Sequence, residues 1–291
     1  MKNLVLFLLF SGLLFSCRYY KRNKQADKSK LPGNDYRLFQ GTPAWELAKA
    51  VQDKNIGKIN RAAAKEPGLV NFREPVFGNT LLILSIENQQ YKSFKALLDN
   101  HADVNIHNYY DGTSAIIEAC SFDLNRIKFV KTLLKYGADV NDVETGPRQK
   151  YNSTRETPLI KASMAGRLNV VKLLTDSGAN INYQNEYGQT ALSEALIQWN
   201  YDVVIYLLNK GADYRLPLFY RPEVDKKVFI PEFLRERMYT IGSQEHKQKM
   251  EIVSFLRSKG IEYKDEPIPV YIVKKIMTEH PDDWKEYLEN Y

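Results

Sequence analysis

Apolar positions come in pairs of short runs separated by polar, glycine-rich breaks. In the clearest stretch, Leu159 and Ala162 stand three apart, on one face of a helix. A second run, Val170-Val171-Lys172-Leu173-Leu174, repeats that helical spacing. Thr157 precedes the first run and suits a helix N-cap, and Pro158 fits the first turn, whose N–H has no helical partner. Gly178 follows the second run and suits the left-handed residue that ends many helices. Asp and Asn residues and runs such as Glu186-Tyr187-Gly188 then supply turn chemistry. The pattern predicts helix, turn, helix and projecting turn, used repeatedly.

The repetition is explicit. Gly137-Ala138-Asp139-Val140-Asn141 returns as His101-Ala102-Asp103-Val104-Asn105 and as Gly178-Ala179-Asn180-Ile181-Asn182. It thins to Gly211-Ala212-Asp213 and to Gly260-Ile261-Glu262. His101 replaces the glycine, and His is among the residues enriched at positive φ. Helix starts keep step at Thr80, Ser114, Thr157 and Thr190: the first interval is 34 residues, the last 33, and the middle one 43. A fixed period of this size means stacked units that bury a shared core and offer an extended surface rather than a pocket.

On these motifs the chain resembles the ankyrin-repeat family, whose pattern is Gly-x-Thr-Pro-Leu-His-x-Ala, a second helix, and Gly-Ala-Asp-Val-Asn. The match is strongest in the units opening at Gly78, Asp111, Arg155 and Gly188. The family histidine is absent: Trp45, Ile83, Ile117, Ile160 and Ser193 occupy its place. A degenerate first unit opens at Thr42-Pro43, places Ile56, Ile59 and Ala63 in its second helix, and ends on Gly68-Leu69-Val70-Asn71. A degenerate last one runs from Phe229 to Gly260, and end units are expected to be atypical because one face meets water. The expected fold is all-α: a solenoid of about six helix-turn-helix units over 41–264, near 41–77, 78–110, 111–154, 155–187, 188–220 and 221–264. Capping helices are expected in 265–291, around Val270–Met277 and Asp282–Asn290.

The front end differs in kind. Lys2, the apolar stretch Leu4 to Phe15, and Ser16 read as a secretory signal over 1–16, too short to span a bilayer stably. Leu14-Phe15-Ser16-Cys17 resembles a bacterial lipobox, which implies cleavage before Cys17 and lipid on its thiol and amine. Residues 17–40 are then expected to be a flexible basic tether, since Arg18, Lys21, Arg22, Lys24, Lys28 and Lys30 face only Asp27 as far as Lys30. No Asp follows Cys17 and no acidic export cluster is present, so the resemblance implies an outer-membrane anchor facing the periplasm. If Cys17 carries lipid, Cys120 is the one remaining cysteine and no internal disulfide forms; Cys120 is expected as a buried small hydrophobe.

Lys and Arg number 41 against 35 Asp and Glu, and with six basic residues in the tether the repeat body is near neutral, without a nucleic-acid stripe. No His-Glu-x-x-His, Gly-x-Ser-x-Gly, phosphate loop or Cys-x-x-Cys is present. Asp99, His101 and Asp103 are spaced like metal ligands but fall on a helix end and its pentamer. No catalytic residue, metal or cofactor is therefore expected.

The distinctive residue is tyrosine, at 19 copies. His107, Tyr109, Tyr110, Tyr183, Tyr187 and Tyr214 fall in projecting turns, and Tyr151 falls in an insertion at Asp142 to Arg155. In the resembled family these turns line the partner-binding side, and Tyr is enriched at binding hot spots. Tyr109 and Tyr187, beside turn Gly and Asp, are expected to be exposed; Trp199 is read as a packing residue. The expected function is non-enzymatic binding of another protein by a monomeric, lipid-anchored repeat protein of the bacterial envelope. One concrete version is an immunity-type protein neutralising a delivered toxin, as some bacterial ankyrin proteins do. The rival is an enzyme with its site in Leu216 to Gln248 or the C-terminal helices.

Overall fold

The computed structural model describes residues 23–121, 127–147 and 155–291. Its contacts gather into two units, Met1–Tyr110 and Asp111–Tyr291.

In the first unit, α1 (Trp45–Gln52) pairs with α2 (Ile56–Lys65), and α3 (Leu81–Glu87) pairs with α4 (Tyr91–Asp99). Thr80 caps α3 as expected, its hydroxyl accepting the Ile83 N–H at 3.3 Å. Thr42 does not cap α1; its hydroxyl donates to the Phe39 carbonyl at 2.7 Å. His101 takes φ +64°, and the Ala102 N–H reaches back to the Leu97 carbonyl, closing α4 as a glycine would. Leu47, Val51, Ile59, Leu82, Phe94 and Leu97 are buried between the helix pairs.

The expected tether extends too far. From Tyr36 the chain makes a 3-10 turn, and Tyr36, Leu38 and Phe39 are fully buried in the first unit. These apolar side chains cover the end of the first helix pair, so residues near 36–40 belong to the folded body. The lysines upstream dominate the local composition and hide them.

The second unit repeats the helix pair. Its pairs are α5 (Ala115–Cys120) with α6 (Ile127–Lys135), α7 (Pro158–Met164) with α8 (Leu168–Asp176), and α9 (Ala191–Ile197) with α10 (Tyr201–Asn209). First helices pack in the order α5, α7, α9 and second helices in the order α6, α8, α10. Thr157 caps α7 through the Ile160 N–H at 3.3 Å. Thr190 caps α9 in a reciprocal box, where Ser193, standing in for the family histidine, accepts the Thr190 N–H at 2.7 Å. Ser114 makes no such bond; its hydroxyl pairs with the Asp142 carboxylate instead. Leu174 and Cys120 are buried.

The last asparagine of two pentamers, and its stand-in Asn71, have a specific task. Asn141 accepts the Asn180 N–H at 2.7 Å and donates to the Gly178 carbonyl at 3.2 Å. Asn182 does the same for Asp213 and Gly211, and in the first unit Asn71 accepts the Asp103 N–H at 2.8 Å. At these three places one side-chain amide clamps a repeat to the backbone of the next.

A short antiparallel hairpin, β1 (Phe219–Arg221) with β2 (Lys226–Val228), precedes α11 (Ile230–Arg235) and α12 (Gln244–Ser258). Nothing in the alternation of apolar and polar residues marks the hairpin, whose strands are three residues each. Two final helices follow, α13 (Val270–Glu279) and α14 (Trp284–Asn290); Ile272 and Ile276 pack with Tyr287 and Tyr291. Tyr291 is tied back by its hydroxyl, which donates to the Arg235 carbonyl at 2.6 Å. Among the described residues no helix is long and apolar enough to cross a membrane.

Candidate functional site

Three of the projecting turns are built around one side-chain acceptor. In the first unit, the buried Glu74 carboxylate takes the N–H groups of Val76, Phe77 and Asn79 at 2.7, 2.8 and 3.0 Å. In the second, the Asn185 amide oxygen takes those of Tyr187 and Gln189 at 3.0 and 2.9 Å. Glu144 holds the corresponding place in the long turn and accepts the Glu156 N–H at 3.1 Å. The insertion therefore falls in the sequence between acceptor and donor. An acceptor shared among several amides freezes a turn without regular pairing.

Tyr187 stands on the Asn185 turn, and Tyr109 and Tyr110 stand on the turn that follows α4, held against the Glu74 turn. Tyr109 and Tyr110 are 52% and 46% exposed, and Tyr187 is 67% exposed. The amides of Tyr109 and Tyr110 both bond to the Phe77 carbonyl, at 2.7 and 3.1 Å. The Arg73 guanidinium lies 4.3 Å from the Tyr109 ring centroid, and Phe77 meets Tyr110 edge-on at 5.7 Å. Gly78, at φ +78°, makes this possible, because a Cβ there would stand 2.3 Å from the Tyr109 ring.

Tyr183 and Tyr214 make contacts within the fold. The Tyr183 hydroxyl donates to the Arg155 carbonyl at 3.0 Å, and burial raises its phenol above the ordinary range. Tyr214 lies edge-on against Phe255 at 5.7 Å. His107 is half-buried, and its carbonyl accepts from Arg73 at 3.2 Å. Cys17 and Tyr151 lie outside the described residues. Trp199 packs as expected, stacked on Phe233 at 4.6 Å with the Arg237 guanidinium on its ring at 3.6 Å.

A buried charged cluster lies under the turns of the second unit, unannounced by the sequence pattern. Lys161 pairs with Glu144 at 3.0 Å and with Glu156. Burial pushes the Lys161 amine down, but the two carboxylates outweigh it and leave the amine raised. Burial pushes Glu194, only 5% exposed, up to about 7; Glu156 adds to the rise and Lys161 opposes it. A second buried cation, Lys249, sits 3.8 Å from the Tyr291 ring centroid and donates to the Arg237 carbonyl at 2.9 Å. Burial, with Arg235 nearby, lowers it to about 7. Among the described residues no group of three or more His, Cys, Asp or Glu side chains could hold a metal ion.

Comparison with known proteins gives the same picture. The family model for ankyrin repeats in three copies matches residues 47–144 and 143–217. An ankyrin repeat protein of Fowlpox virus is 32% identical over 115 residues, 40% of this chain and 18% of that protein. One from Acanthamoeba polyphaga mimivirus is 34% identical over 84 residues, 29% of this chain and 50% of its own length. The B-cell lymphoma 3 protein homolog of Mus musculus is 32% identical over 142 residues, 47% of this chain and 29% of that protein. The chain thus spans half or less of these relatives. The matched repeats cover more than half of the 291 residues, and the chain belongs to the ankyrin-repeat family.

Proposed function

We propose that this chain is a non-enzymatic binding protein that holds another protein on its projecting turns. The observation that carries this is the exposure of Tyr109, Tyr110 and Tyr187 on turns whose backbone is already fixed. A rigid tyrosine presents a large amphipathic surface at little entropic cost, which is the composition of a binding hot spot. Ankyrin repeats in general mediate binding to another protein, which agrees with this reading. Cross-linking the full chain in cells, with identification of the cross-linked protein, tests it. Tyr109→Ala and Tyr187→Ala together should lower the affinity for that protein by roughly 30-fold, with thermal stability nearly unchanged. Unchanged affinity in the double variant refutes the assignment.

The reading includes a lipid anchor at Cys17 and an address in the bacterial envelope. The Leu14-Phe15-Ser16-Cys17 motif and the apolar leader support it; the relatives named above are viral and animal proteins, so the address rests on the leader alone. Cys17→Ser should abolish incorporation of labelled fatty acid and release the chain from membranes. Membrane retention of that variant sinks the anchor.

A further inference from the structure

Arg73 is the cation of the first unit's exposed aromatic platform, and no ion pair holds it among the described residues. One face of its guanidinium is covered by the Tyr109 ring at 4.3 Å, and Nη1 donates to the His107 carbonyl at 3.2 Å. Those two contacts fix its orientation. A guanidinium carries five N–H donors in a planar fork. Among the described residues no carboxylate lies within ion-pairing distance of it. The adjacent Glu74 is turned to other work: it is fully buried, and its oxygens accept the N–H groups of Val76, Phe77 and Asn79. Exposed apolar side chains share these turns: Tyr109 and Tyr110, whose amides are held by the Phe77 carbonyl, and Val76, the residue before Phe77.

We propose that this platform receives an acidic–apolar peptide segment of the partner: a carboxylate on Arg73 and a neighbouring large apolar side chain on Val76, Tyr109 and Tyr110. The proposal rests on the protein-binding reading and gives the partner a chemistry. Arg suits a carboxylate because the fork matches its two oxygens. The contact costs little ordering, since the guanidinium and both rings are already held in place. A nucleic-acid strand also pairs aromatic stacking with cations, but it needs a basic groove that tracks several phosphates. This platform has one such cation and an aliphatic neighbour, so the peptide is favoured.

Panning a displayed library of random dodecapeptides on the immobilised full chain tests the proposal. The expected enriched sequences place Asp or Glu next to a large apolar residue. A synthetic peptide of that consensus should bind the wild-type chain, weaken as salt is raised, and lose at least about tenfold in affinity on Arg73→Gln. Tyr109→Ala should weaken it as well. Tyr109→Phe, which keeps the ring on Gly78, should leave it nearly intact and controls for misfolding. Three results overturn the proposal: enriched peptides without an acid, equal binding by Arg73→Gln, or displacement by a single-stranded oligonucleotide. Acid-free peptides that still depend on Tyr109 remove only the carboxylate assignment and leave the turn-binding reading standing. Enriched peptides indifferent to both Tyr109→Ala and Tyr187→Ala, or no enrichment, remove both.

Discussion

Glu194→Gln should make this protein more stable at pH 8 and leave it little changed below pH 4.5. The wild-type carboxyl is buried on α9, with Glu156 and Lys161 as the charged groups acting on it. Its ordinary value of 4.5 rises to about 7 in the folded chain. The unfolded chain therefore releases this proton at lower pH than the folded one. Between those values the folded state binds more protons, so stability falls as pH rises from 4.5 to about 7. Above that the full penalty stands, up to about 3 kcal/mol for a difference of this size. Gln keeps the shape and removes the ionisation. Urea melts of both chains at half-unit steps from pH 4.5 to 8.5 give the difference curve. It should be flat near zero at the acid end, climb through pH 5–7 and level off. A constant difference across the range, or a less stable Gln variant at pH 8, refutes the reasoning. Lys161 sits on the neighbouring α7 and stays charged throughout, so it does not produce the slope.

Two further outcomes are expected. Leu174→Ala, in the second helix α8, should cost about 2–5 kcal/mol and should also lower the protection of α6 and α10 against hydrogen exchange, since each repeat is stabilised by its neighbours. Lys249→Met should flatten the alkaline limb of the stability profile: the wild-type amine is lowered from 10.5 to about 7, so the wild type gains stability as pH rises between those values and the Met variant does not; parallel melting curves at pH 7 and pH 10 contradict this.

The parts that were legible in the sequence are those where one residue type does a local job. Thr157, Thr190 and Thr80 mark helix starts because a hydroxyl there satisfies an orphan amide. His101 was readable as a left-handed residue because its position in the pentamer is otherwise glycine. What escaped depends on neighbours far apart in sequence. Lys161 and Glu194 stand where surface residues of the same type would fit the pattern equally well. Glu194 is buried and Lys161 half-buried, and Lys161 finds its partner in Glu144 of the long turn. Tyr36, Leu38 and Phe39 were masked by a run of lysines before them. Strands of three residues, like β1 and β2, are too short for an alternating pattern to register. Tyr109 and Tyr187 were separable from Tyr183 and Tyr214 only in part, since turn composition suggests exposure but not which ring finds a neighbour.

The long turn has a consequence for how this protein can change over time. Glu144 grips the Glu156 amide and the Lys161 amine whatever the chain does in between, and the Glu144 amide returns to the Glu156 carbonyl at 3.2 Å. The clasp makes the span 147–154 a splice point, since Thr145 and Gly146 donate to the Gly112 and Asp111 carbonyls and the Arg155 carbonyl accepts from Tyr183. Sequence added there lengthens a loop whose ends are already closed, and each doubling of loop length costs only about 0.6 kcal/mol. A lineage could exchange that span wholesale, or an engineer could graft a foreign recognition loop into it, while the helices on either side keep their places. The two glutamates and the lysine are then the fixed frame of a replaceable part.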